Sequence, residues 1–187
     1  TAKVALDAAL ERIAAGDFVT ACPLLEEVYK KRTYDSFVVQ QLALATYKAK
    51  HPTPEAALFK AKKILEELSP MTTNDPETLG LWGAIHKRLW ELGHQQSDLN
   101  ESVAAYERGF YVKQDYYNGI NLAFLLNLRG LMALKAGQRN EGIADTILAG
   151  RIRQDVIRYT EPTLPTDVTD EKRYWAVATL WEAATGL

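Results

Sequence analysis

Apolar residues recur at three- and four-residue spacing along nearly the whole chain, and no stretch alternates apolar and polar with period two between turn signals. The pattern predicts an all-α protein, with helices over 2–15, 18–31, 35–50, 54–68, 76–92, 98–113, 116–136, 139–158 and 170–186. The breaks are short and chemically specific. Gly16-Asp17 ends the first helix. Thr53 is placed to cap the fourth, with Pro54 at the first helical position, where its missing N–H costs nothing. Asn74-Asp75-Pro76-Glu77 repeats the device, Gly93 is expected to close the fifth helix, Ser97 to cap the sixth, and Gly137 separates two more. Links this short join neighbouring helices as antiparallel hairpins. Only Glu161 to Thr169, with Pro162 and Pro165, reads as a longer irregular segment.

Small residues recur within this pattern at fixed intervals. Ala9 and Ala21 are twelve residues apart and are followed by Leu25 and Val28; Ala45 and Ala57 repeat the interval, followed by Ala61 and Ile64; Gly130 and Gly142 repeat it again, followed by Thr146 and Ala149. This resembles the tetratricopeptide pattern, in which small residues on the two helices of a hairpin let their backbones approach closely. A third unit pairs Gly83 with Ser102, Tyr106 and Gly109, with about seven extra residues around Leu92 to Leu99 that are expected to fall in the turn. The implied architecture is an α-solenoid read as one domain over 1–187. Its units are approximately 2–31, 35–68, 76–113 and 116–158, followed by a terminal helix over 170–186. The helix from Tyr116 to Ala136, roughly 30 Å long at about 1.5 Å per residue, is expected to project beyond its neighbours. The unpaired last helix suggests a piece of a longer polypeptide.

Three strings sharpen the resemblance: NDPETLGLWGAIHKRLWE at 74–91, ESVAAYERGFYVKQDYYNGINLAFLL at 101–126 and RYWAVATLWEAA at 173–184. Together they resemble a divergent tetratricopeptide group, the TRAF-binding domain of the apoptosis signal-regulating mitogen-activated kinase kinase kinases, which also occurs in many bacterial proteins. The resemblance covers about 74–186; the first two units match only the general repeat. It implies a solenoid within a multidomain signalling protein that holds partners or positions neighbouring catalytic domains. No kinase motif accompanies it.

Composition narrows the functions. The 187 residues carry 22 Lys and Arg against 24 Asp and Glu, without the basic excess that binding to a phosphate backbone uses. One cysteine, Cys22, allows no internal disulfide and no zinc cluster, which fits a reducing, cytoplasmic setting. No window is long and apolar enough for a membrane span.

Candidate chemistry is sparse. His86 and His94 are two turns apart with Trp90 between them and lack a third ligand, so they read as packed or solvent-facing histidines rather than a metal site. Cys22 has no neighbouring base and reads as a small buried hydrophobe. Asp75 with Glu77, and Asp170 with Glu171, sit in first turns, where acids complement the helix dipole. Nucleotide-binding, hydrolase and metal motifs are absent, and no cofactor is called for. One cluster points to recognition. Gln114, Asn118 and Asn121 would make a polar stripe along an inner helix, able to hold a peptide backbone or to support the fold, and His86, Lys87, Arg88 and Lys50 offer cations for an acidic peptide or chain terminus. The expected function is a non-enzymatic protein-interaction scaffold that binds a protein or peptide partner through Lys87, Arg88, Asn118 and Asn121. The alternative is an intramolecular regulatory or self-association module using Trp175 and Trp181.

Overall fold

A computed structural model describes residues 1–161 and 170–186. Described residues contain helices and no strand. In chain order the helices are α1 (Ala2–Ala14), α2 (Phe18–Tyr29), α3 (Ser36–Ala49), α4 (Pro54–Leu65, continued by a 3-10 turn at Glu66–Leu68), α5 (Pro76–Gly93), α6 (Gln96–Lys113), α7 (Tyr116–Lys135), α8 (Arg139–Thr160) and α9 (Asp170–Thr185). The expected irregular segment with Pro162 and Pro165 lies outside the described residues.

Side-chain caps fix several of the starts. Asp17 accepts from the Thr20 amide at 3.2 Å, Asp35 from Val38 at 3.3 Å and Thr53 from Ala56 at 3.1 Å, so each satisfies an amide that the first helical turn leaves without a partner. The ends use a less expected device. Gly16 and Gly137 take positive φ, as the sequence suggests, but so do Lys50 (φ 54°), Ser69 (φ 50°), His94 (φ 51°) and Gln114 (φ 55°). Gly93 is the last residue of α5, and His94 beyond it makes the left-handed turn. Ser97 lies inside α6 rather than capping it.

The chain packs as two compact units, one of Thr1–Thr73 with Glu77–Asp98 and one of Asn74–Pro76 with Leu99–Leu187. In the first, α1 packs on α2, α2 on α3 and α3 on α4. Ala9, Ala21, Leu25, Val28, Ala45, Ala57 and Ala61 are all fully buried, which places the repeat's small residues where the hairpins close. Leu25 or Val28 alone contributes about 1.5–3 kcal/mol by leaving water. The alanines contribute little area and instead set how near two backbones can come. Inside this unit the Gln40 amide donates to the Thr78 hydroxyl at 3.0 Å, tying α3 to α5.

The insertion expected in the α5–α6 turn is not a loop. Only His94 and Gln95 separate the helices, and both helices are 18 residues long, against 12 to 14 for α1 to α4. No proline falls among the extra residues, and those beside His94 and Gln95 extend α5 and α6. Once a helix is nucleated each of them adds a hydrogen bond, so helix is the cheaper place for them.

In the second unit α7 and α8 pack along their lengths, and α9 packs on both. Leu122, Leu125, Leu126, Ile152 and Val156 fill the interior. The expectation that α7 projects past its neighbours is corrected by α8, which has 22 residues to the 20 of α7. The hairpin closes at Gly130 and Gly142, where a Cβ on Gly142 would stand 2.8 Å from the Gly130 carbonyl oxygen. One turn on, Asp145 is buried rather than the expected Thr146, and it accepts two hydrogen bonds from Arg129, at 2.7 Å from Nε and 2.8 Å from Nη2. α9 turns Ala176, Thr179 and Ala183 inward and leaves Tyr174, Trp175, Val177 and Trp181 exposed.

Candidate functional site

The first unit contains a cavity of about 580 Å³ at one end of its hairpins. Gly16 comes from the α1–α2 turn and Phe18 from the start of α2, Tyr47 and Lys48 from the end of α3, Lys50 from the turn after it, Pro54 and Leu58 from α4, and Arg88, Glu91 and Leu92 from the last two turns of α5. Three cations therefore face one carboxylate. Lys48 Nζ lies 5.7 Å from the centre of the Tyr47 ring and Arg88 Cζ 5.1 Å from it, so one aromatic ring serves two cations. Arg88 Nη1 donates to the Ala84 carbonyl at 2.9 Å, which anchors one arm of the guanidinium to its own helix. Burial pushes the Lys48 ammonium below the ordinary lysine range, and the charges of Arg88 and Lys50 push it the same way. Among the described residues no carboxylate forms an ion pair with any of the three.

Of the residues singled out by sequence, Arg88 and Lys50 meet in this cavity, and Lys48 joins them. Lys87, half-buried on α5, is not part of its wall. His86 turns inward, 2% exposed, with Nδ1 2.8 Å from Asp98 Oδ1 and its ring 4.6 Å from that of Trp82. It is thus a packed histidine with a carboxylate partner that periodicity did not suggest.

The polar stripe does not form as expected. Gln114 lies outside α7, in the left-handed turn that precedes it. Asn118 is 3% exposed: its amide N–H donates to Asp115 Oδ1 at 2.9 Å and its Nδ2 to Asp115 Oδ2 at 2.8 Å. A Cβ on Gly109 would lie 2.8 Å from Asn118 Oδ1, so the glycine makes room for the buried side chain. This takes Asn118 away from any face a partner could touch. Asn121 stays half-buried and donates to the Tyr117 carbonyl at 2.9 Å. The same helix face holds two residues, Phe124 and Leu131, that the sequence pattern does not single out for recognition. Phe124 and Leu131 follow Tyr117 at seven-residue intervals, and the three are 43%, 56% and 46% exposed respectively. The signal for Asn118 was readable, since Asp115 three residues before an amide is the spacing of an N-cap.

Cys22 is half-buried against the α1–α3 core. Burial pushes its thiol above the ordinary range, the opposite of what a nucleophile needs. Among the described residues no group of three His, Cys, Asp or Glu is placed to hold a metal ion, and no helix is long and apolar enough to cross a membrane.

Helix hairpins closed by small residues at twelve-residue intervals define a tetratricopeptide-type repeat protein. The family model described as Tetratricopeptide Repeats-Sensor matches residues 17–126, and the chain belongs to that family. Two solved structures share the fold. TTC0263, a thermophilic tetratricopeptide protein in Thermus thermophilus, is 14% identical with a TM-score of 0.58, over 100% of this chain and 88% of that one. The MamA protein is 16% identical with a TM-score of 0.54, over 99% of this chain and 91% of its own. No curated protein sequence matches the chain.

Proposed function

We propose that the chain is a non-enzymatic scaffold within a signalling or effector polypeptide, and that it holds a segment of a protein partner against the exposed side of α7. Tetratricopeptide folds generally mediate protein–protein interaction and are generally non-catalytic. The observation that carries the reading is the row of Tyr117, Phe124 and Leu131, large apolar side chains kept on the surface at seven-residue intervals with Asn121 among them. Residues seven apart lie on one helix face, and a partner's apolar side chains would gain by covering them. Asn121 supplies a polar contact beside such a segment. Affinity capture with the wild-type chain and with a Phe124→Ser/Leu131→Ser variant tests this. The variant should lose a specifically captured protein by tenfold or more while its circular dichroism is unchanged; equal capture by both proteins would refute the assignment.

A second reading rests on α9, where Trp175 and Trp181 are 55% and 71% exposed on a helix whose opposite side is buried. Paired with a second copy, this face would make the chain a self-association module. Light scattering across a concentration series distinguishes the two: a dimer that dissociates in Trp181→Ser supports this reading, and a monomer at all concentrations supports the first.

A further inference from the structure

The cation-lined cavity of the first unit is on neither of those faces. We propose that it is a binding site for a small phosphorylated molecule, with Lys48, Lys50 and Arg88 holding the phosphate charge and Phe18, Leu58 and Leu92 covering a less polar body. Two observations converge on this ligand class. The first is size: about 580 Å³ lies within the range of roughly 300–1,000 Å³ that small-molecule sites occupy. The second is charge. Like charges gathered at one cavity repel one another, with only Glu91 in the wall to offset them, and a bound dianion removes that repulsion while gaining charge-assisted hydrogen bonds.

Position separates this site from a groove that grips an extended peptide. Its wall comes from the turn residues Gly16 and Lys50 together with the adjoining ends of α2, α3, α4 and α5, and its apolar side chains line the same open pocket as its charges. A ligand with a compact anionic end and a small non-polar remainder satisfies both sets.

The test uses the full chain and pyrophosphate as the probe of the charged subsite, by titration calorimetry at about 50 mM salt, where screening is modest. Saturable binding is expected. It should weaken by tenfold or more in Lys48→Gln/Arg88→Gln and stay within twofold in Lys87→Gln, a cation on the same helix as Arg88 but outside the wall. Phenyl phosphate should bind more tightly than inorganic phosphate, and Leu92→Ser should abolish that advantage while leaving pyrophosphate binding intact. Absence of saturable binding at millimolar pyrophosphate would overturn the proposal, as would a loss in Lys87→Gln equal to that in the double variant. So would an acidic decapeptide that displaces pyrophosphate and binds more tightly, which would reassign the cavity to a protein ligand. None of these outcomes depends on capture through α7.

Discussion

Gly142 and Gly150 are eight residues apart on α8, and the hairpin geometry predicts opposite signs for the same substitution. At Gly150 an added Cβ would meet nothing within 4 Å. The change to alanine there only recovers helix propensity, which is worth about 1 kcal/mol. At Gly142 the new carbon would stand 2.8 Å from the Gly130 carbonyl oxygen and 2.5 Å from Leu134 Cγ. Leucine can rotate away, but a helical carbonyl moves only with its helix. Overpacking in a closed core costs about 1–3 kcal/mol, and a backbone contact belongs at the upper end. After about 1 kcal/mol of propensity is returned, Gly142→Ala should destabilise by about 2 kcal/mol and Gly150→Ala should stabilise by about 1 kcal/mol. For a chain of this size each kcal/mol moves the thermal midpoint by roughly 2–4 °C. Circular dichroism melts at a single scan rate would therefore show one variant falling about 4–8 °C and the other rising about 2–4 °C. A Gly142→Ala protein as stable as wild type would mean that α7 and α8 separate freely, and that close backbone approach does not hold this hairpin.

Other consequences are cheaper to check. Removing Arg129 by substitution with Met should cost about 2 kcal/mol in urea unfolding, because it leaves the buried Asp145 carboxylate without its bidentate partner. Gln114→Gly should raise stability by about 1 kcal/mol by relieving a left-handed φ of 55° on a residue with a Cβ, and a fall in the midpoint would refute the strain. The Thr20 hydrogen bonds hold the Asp17 carboxyl below its usual range. Its contribution is therefore present above the unfolded value of 3.8 and lost as pH falls through the lower folded value. Wild type should melt above Asp17→Ala at neutral pH, and the gap should narrow in melts taken below pH 3.8.

The hairpin contacts were legible in the sequence because close approach of two backbones admits few residue types. Ala9, Ala21, Ala45 and Ala57 could be read from spacing alone, and all are fully buried. What a single helix decides about its own first turn was harder to see. Period counting grouped Gln114, Asn118 and Asn121 into one stripe, but Asp115 starts the helix between the first two, so Gln114 leaves the pattern and Asn118 becomes part of the cap. The surplus residues between the third pair of helices read as a turn because turns tolerate insertion, whereas all but His94 and Gln95 lengthen α5 and α6, where each adds a backbone hydrogen bond. Lys50 and Arg88 are legible as cations in the sequence. That Lys48 joins them around Tyr47 follows from packing α5 against the end of α3, which no local pattern encodes.

Among the described residues, four turns bend through left-handed φ at Lys50, Ser69, His94 and Gln114 rather than at glycine. Each holds back about 1 kcal/mol, so together they withhold about 4 kcal/mol, comparable with the whole margin of a weakly stable domain. That is an evolutionary reserve. A lineage that acquires a costly but useful change elsewhere can restore its stability by one glycine codon at a turn, without touching a buried side chain. At Lys50, where the strained residue also supplies charge to a cavity, that route is open only at the expense of the cation.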